Sequence, residues 1–273
     1  MAIMINRPTT EMTRRRERLG SGIRQDEYTK TMNIPVDIFL LSILASFIQR
    51  TTGFGFGIFI MTALPLLLPS YGEATTLSGM LAMTTSLIVS LRKRKYLNWH
   101  HLLPILITFL FISTIAIFCL KHIDDAVLRR ILGMVLILTS IYFTFFSTRI
   151  KLKTNVPTQV CAGTLSGLMG GFFGMQGPPA VLYFLQSAKD KNCYMALAQT
   201  YFFLGNLSML IFRAFNGFLT RSVGWGYLYG VGGVAIGMMI GGFVFDHLPA
   251  RAFRYVVYDY IGISGLIFLL TTG

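Results

Sequence analysis

Two glycine-rich stretches hold the residue types best suited to chemistry in this chain. The first reads Gly53-Phe54-Gly55-Phe56-Gly57; the second runs from Gly170-Gly171 through Gly174-Met175-Gln176-Gly177 to Pro178-Pro179. Glycine lets the backbone turn sharply and lets a ligand approach the amides. Pro178 and Pro179 suit a helix start, where a missing N–H costs nothing. A helix opening after each stretch, at Ile58 and near Pro178, would aim free N–H groups and its positive dipole end at the glycines. That is a site for an anion. The competing use of such glycines is close packing of helices. Two breaks in corresponding places, each followed by a short proline-containing piece, weigh against packing alone.

Side chains around the stretches extend the expectation. Arg50 lies one helical turn before Gly53, deep in an apolar segment and preceded by Gln49. An intramembrane arginine is costly and points to an anionic partner, with snorkelling or a structural carboxylate as the alternative. Gln176, inside the second stretch, can donate its amide to an oxyanion or to freed backbone carbonyls. Polar residues also recur in the next apolar segment of each half: Thr75, Thr76, Ser78, Thr84, Thr85 and Ser86, then Gln199, Thr200, Asn206 and Ser208. Hydroxyls in such helices usually bond back to their own backbone, so Asn206 is the strongest of these candidates. The expected anion site is thus Gln49, Arg50, Gly53, Gly55, Gly57, Gly174, Gln176, Gly177 and Asn206. Asp259, between Tyr258 and Tyr260 in the last apolar run, is a candidate for coupling or as a counter-ion. His100, His101, His122 and His247 fall at segment ends, and Cys119, Cys161 and Cys193 read as small apolar packing residues. They form no metal site, and no cofactor is expected.

The elements that must position these residues are membrane helices. Of 273 residues, 53 % are hydrophobic and 13 % charged, too little charge for the surface of a soluble domain this long. The net charge of +13 reflects basic loops between apolar runs rather than a nucleic-acid partner. Residues 1–33 form a polar, basic tail without the apolar core of a signal peptide. Apolar segments fall at about 36–52, 58–69, 74–91, 100–120, 128–147, 157–173, 178–188, 194–212, 222–245 and 252–271. They make two sets of five, with the breaks about 120 residues apart, which divides the chain into repeats at 34–150 and 151–273.

The first two pieces of each set run about 33 residues, roughly 50 Å as one helix, against a hydrocarbon core of about 30 Å. A hairpin broken inside the membrane fits better than one straight crossing. Each half then crosses three more times, and the halves become inverted repeats. The loops at 92–95, 149–153, 189–191 and 251–254 then share one side and carry eleven Lys and Arg. The opposite loops carry five (Lys121, Arg129, Arg130, Arg213 and Arg221), and the tail carries seven. A tail on the less basic side disfavours hairpins, so the competing arrangement, one crossing per broken pair, stays open.

At these residues the chain resembles the TauE/SafE family of sulfite and sulfonate transporters, also called the toluene-sulfonate uptake permease family. The resemblance rests on 53-GFGFG-57 with Pro65, on 73-EATTLS-78, on 92-RKRK-95 with Trp99, and on the second copy 163-GTLSGLMGGFFGMQGPP-179. It covers residues 36–271. GFGFG departs from the family's usual run of consecutive glycines. The resemblance implies movement of sulfite, sulfonates or related organic acids.

The expectation is an all-α polytopic protein of the cell inner membrane that moves a small anion between its two breaks. Its partners are that anion and the bilayer, and a homo-oligomer stays open. No P-loop is present, so ion or substrate gradients would drive it. An anion-conducting pore is the near alternative. An intramembrane enzyme is the distant one, lacking HExxH, GxSxG and any mid-segment histidine to act as a base.

Overall fold

The computed structural model describes residues 34–142 and 153–247, together with Leu266 and Leu270. The tail, the 251–254 loop, nearly all of the 149–153 loop and Asp259 lie outside the described residues. Every regular element among the described residues is helical.

Helix α1 (Ile34–Thr52) is apolar almost throughout. Its hydroxyls return to its own carbonyls, Ser42 to Ile38 and Ser46 to Ser42, both at 2.7 Å, so their polarity is hidden. The helix stops at Gly53 (φ 85°) and Gly55 (φ 97°), dihedrals that residues bearing a Cβ avoid. Where the sequence suggested one piece at 58–69, the structure has two short helices, α2 (Phe56–Ile60) and α3 (Leu64–Leu67). Pro65 explains the division, because it has no N–H with which to continue the α2 ladder. Helix α4 (Tyr71–Lys93) follows, its start capped by Ser70 Oγ accepting from the Glu73 N–H at 3.2 Å. Helices α5 (Trp99–Leu120) and α6 (Asp125–Ile141) complete the first half.

Four helices are described after residue 153. Helix α7 (Val156–Phe173) ends at Gly174 (φ 67°), and α8 (Gly177–Ser187) starts with its two prolines. Helices α9 (Lys191–Phe215) and α10 (Arg221–His247) follow. Five helices are long and apolar enough to cross a membrane: α1, α4 with its terminal turn, α5, α9 and α10 through Phe243. Their outward residues include Phe111, Ile211, Met239 and Phe243, all exposed, as a lipid-facing surface requires. Cys119 and Cys161 are exposed as well, so neither packs the interior as the sequence suggested.

The helices pair across the halves. Helix α1 lies along α10, α7 lies along α5, and α4 packs on α9. In the first pair, Gly226, Gly233, Gly237 and Gly241 of α10 meet Ile38, Phe39, Ile43 and Arg50 of α1 in the same order. In the second, Gly163, Gly167 and Gly171 of α7 meet Ile105, Ile112 and Ala116 of α5. Both pairs are therefore parallel and use small residues to bring backbones close, where lipid offers no hydrophobic drive.

Contacts at the helix ends fix which of them are neighbours. The Tyr71 N–H donates to Asp125 Oδ2 at 2.9 Å, joining the starts of α4 and α6. Lys93 Nζ donates to Asn192 Oδ1 at 2.7 Å, joining the end of α4 to the start of α9. Gln159, in the first turn of α7, donates to the hydroxyl of Tyr183, near the end of α8, and His101 at the start of α5 meets the same hydroxyl.

Candidate functional site

The two breaks touch. A Cβ on Gly57 would overlap the carbonyl oxygen of Gly174. Beside this contact is a cavity of about 30 Å³. Since about 10–15 Å³ already takes one water, the space suits a small headgroup rather than a bulky molecule. Its lining has three kinds of group. The carboxamides are Gln49, Gln176 and Asn206. The break glycines are Gly55, Gly57, Gly174 and Gly177. The apolar part is Phe56, Ile58, Ala82, Met175 and Phe202. Among the described residues no charged side chain lines the cavity.

The three carboxamides differ in what they have left to give. Gln49 is fully engaged: its Nε2 donates to Ser86 Oγ and Gln199 Oε1, both at 3.0 Å, and its Oε1 accepts from Thr85 Oγ1 at 2.8 Å. Gln199 in turn donates to the Gly53 carbonyl at 2.7 Å. A carbonyl freed by the first break is thus held by the second half. Gln176 Nε2 reaches the Phe202 carbonyl at 3.4 Å, while its Oε1 is buried without a partner. That is nearer to the backbone role the sequence left open for it. Asn206, 2 % exposed, makes no hydrogen bond to any described residue. Its amide atoms are not among the fully enclosed ones, so they open onto the cavity, where water or a ligand can meet them.

The second break is also secured. Gly174 N–H donates to the Gly170 carbonyl at 3.0 Å, and Ser166 Oγ donates to the Gln176 carbonyl. The larger clamp is Arg213. It is 1 % exposed, with Nη2 on the carbonyls of Gly170 at 3.0 Å and Gly171 at 3.1 Å, and Nη1 on the Thr75 carbonyl. One guanidinium therefore ties the end of α7 to the start of α4. Arg213 was placed among loop cations by the sequence; it belongs instead to the last turn of α9 and is buried. The signal was present but faint, since Arg213 stands seven residues after Asn206, two turns on along the same face. Gly79 lies opposite both, and a Cβ there would be 3.5 Å from Asn206 Oδ1 and 3.6 Å from Arg213 Nη1.

Of the expected residues, Gln49, Gly55, Gly57, Gly174, Gln176, Gly177 and Asn206 come together at the cavity. Gly53 lies behind the lining, against Tyr194 and Met195. Arg50 does not line the cavity either: its side chain runs along α10 at Gly241 and Gly242. Of the other polar candidates, Thr75 and Thr76 return to the Gly72 carbonyl, Thr84 meets the Tyr227 hydroxyl, and Ser78 Oγ is buried without a partner. Among the described residues no cluster of His, Cys, Asp or Glu could hold a metal.

The family model described as "Sulfite exporter TauE/SafE" matches residues 38–268. Neither a curated protein nor a solved structure matches the chain. That one match spans both halves, both breaks and the cavity between them, and the chain belongs to the TauE/SafE sulfite exporter family, whose members are membrane transporters.

Proposed function

We propose that this protein is a secondary transporter of the cell inner membrane that binds a small anion, such as sulfite, a sulfonate or a related organic acid, between its two glycine breaks. The observation that carries the reading is Asn206, a buried residue whose amide has no partner among the described residues, on the wall of a cavity formed where the breaks meet. Gly177 opens α8 and keeps its own N–H, whereas Pro178 and Pro179 have none to offer. Asn206 and the tip of α8 are the donors left for an oxyanion, and Gly55, Gly57 and Gly174 let it come near the backbone.

The two halves, 34–150 and 151–273, act as inverted repeats in this reading. The contact of Gln159 with Tyr183, near the outer ends of α7 and α8, supports reading 156–187 as a hairpin entered and left at one end of the bundle. The first broken pair starts beside Gly226 and ends at Tyr71, near Phe218, at the opposite end. The end of the bundle holding 92–95 and 189–191 is the cytoplasmic one, by its excess of Lys and Arg. The membrane potential contributes about 2.3 kcal/mol per charge per 100 mV and drives anions outward, so export of a monoanion needs no coupling ion.

The test is flux of labelled sulfite in proteoliposomes containing the purified protein, compared with Asn206→Ala. Flux that saturates in the parent and is lost in the variant, with unchanged melting, supports the site. Equal flux in both places the anion elsewhere.

A further inference from the structure

Among the described residues the cavity is walled by carboxamides, glycine backbone and apolar side chains, with no cation. Arg213, which meets Gly79 beside Asn206, does not line the cavity and gives its Nη donors to three backbone carbonyls. Two effects then compete as ligand charge rises. The cost of taking an ion out of water grows with the square of its charge. Its attraction to fixed neutral dipoles such as amide N–H groups grows only in proportion to the charge. Doubling the charge therefore quadruples the penalty and merely doubles the reward. Cationic side chains in contact would close the gap, and this lining has none.

From this we infer that the site selects by charge state: it takes singly charged oxyanions, hydrogensulfite or a sulfonate, and excludes dianions of the same size, sulfite itself included. The inference rests on the anion site proposed above and narrows it. The apolar share of the lining, Phe56, Ile58, Met175 and Phe202, agrees with a ligand that has one weakly hydrated face.

Methanesulfonate and sulfate separate the cases, because they match in size and geometry and differ by one charge. Both would compete, at equal ionic strength, with labelled sulfite entering proteoliposomes that hold the full chain. The expected result is inhibition by methanesulfonate at concentrations at least tenfold below those of sulfate. Labelled sulfite flux should also fall as pH is raised through the second ionisation of sulfite, in step with the hydrogensulfite fraction. Labelled methanesulfonate flux, whose charge does not change there, should stay level. Sulfate competing as well as methanesulfonate, or sulfite flux rising with pH, overturns charge-state selection and leaves the anion site standing. Absence of protein-dependent flux for every anion overturns the site, and this inference with it.

Discussion

Asn206 offers two N–H donors and gives neither to a described residue, so a bound anion would take at least one charge-assisted hydrogen bond from it. Such a bond contributes about 1.5–3 kcal/mol. Asn206→Ala should accordingly weaken anion affinity by about 10- to 100-fold, measured by competition in proteoliposomes, while the melting temperature stays near that of the parent. Arg50→Gln should weaken affinity less, since that guanidinium runs along α10 rather than into the cavity. Arg213 makes the opposite prediction. Lys at 213 keeps the charge but cannot reach three carbonyls, each costing about 1–3 kcal/mol when left buried and unpaired. Arg213→Lys should lower the melting temperature before any effect on affinity is read. Sequence made Asn206 and Gln176 visible because an amide stands out in an apolar run. It could not rank the arginines. Arg50 looked functional because it stands deep in a segment, and Arg213 looked solvated because it stands at the end of one. The rotation of α1 and the contacts of Arg213 with residues on α4 and α7 decided otherwise.

Among the elements, the breaks matter through their closeness. Gly57 sits in α2 directly against the Gly174 carbonyl, and this contact joins the two halves at the cavity. A methyl group there must displace backbone rather than a flexible side chain. Gly57→Ala should cost about 1–3 kcal/mol as overpacking and abolish labelled-sulfite flux while far-UV circular dichroism remains helical. Gly224, whose added Cβ would meet nothing, provides the control; Gly224→Ala should transport normally. The positions of both breaks were legible in the sequence, because glycine runs interrupt otherwise continuous apolar segments. The parallel pairing of α1 with α10 and of α7 with α5 was not. Those helices are apolar nearly all round, so periodicity assigns them no inner face, and only the glycine spacing on α10 and α7 hinted at a partner.

For the whole molecule, the pairing of helix ends makes sidedness testable. In a background lacking Cys119, Cys161 and Cys193, a cysteine at exposed Lys95 should label only from the cytoplasm, and one at exposed Lys121 only from outside. Outside-only labelling at position 95 would reverse the orientation. The cross-pairing itself has a further consequence, for how such a chain is made and how it arose. The first helix of each half rests on the other half, and the Gly53 carbonyl accepts from Gln199. Neither half is then a self-sufficient folding unit, and each must wait in the bilayer for its counterpart. A gene divided in the connection after Tyr142 should yield an active carrier when both pieces are made together and two degraded fragments when they are made apart. On the inverted-repeat reading proposed above, an ancestor encoding one half alone would have had to insert in both orientations and assemble with its own inverted copy.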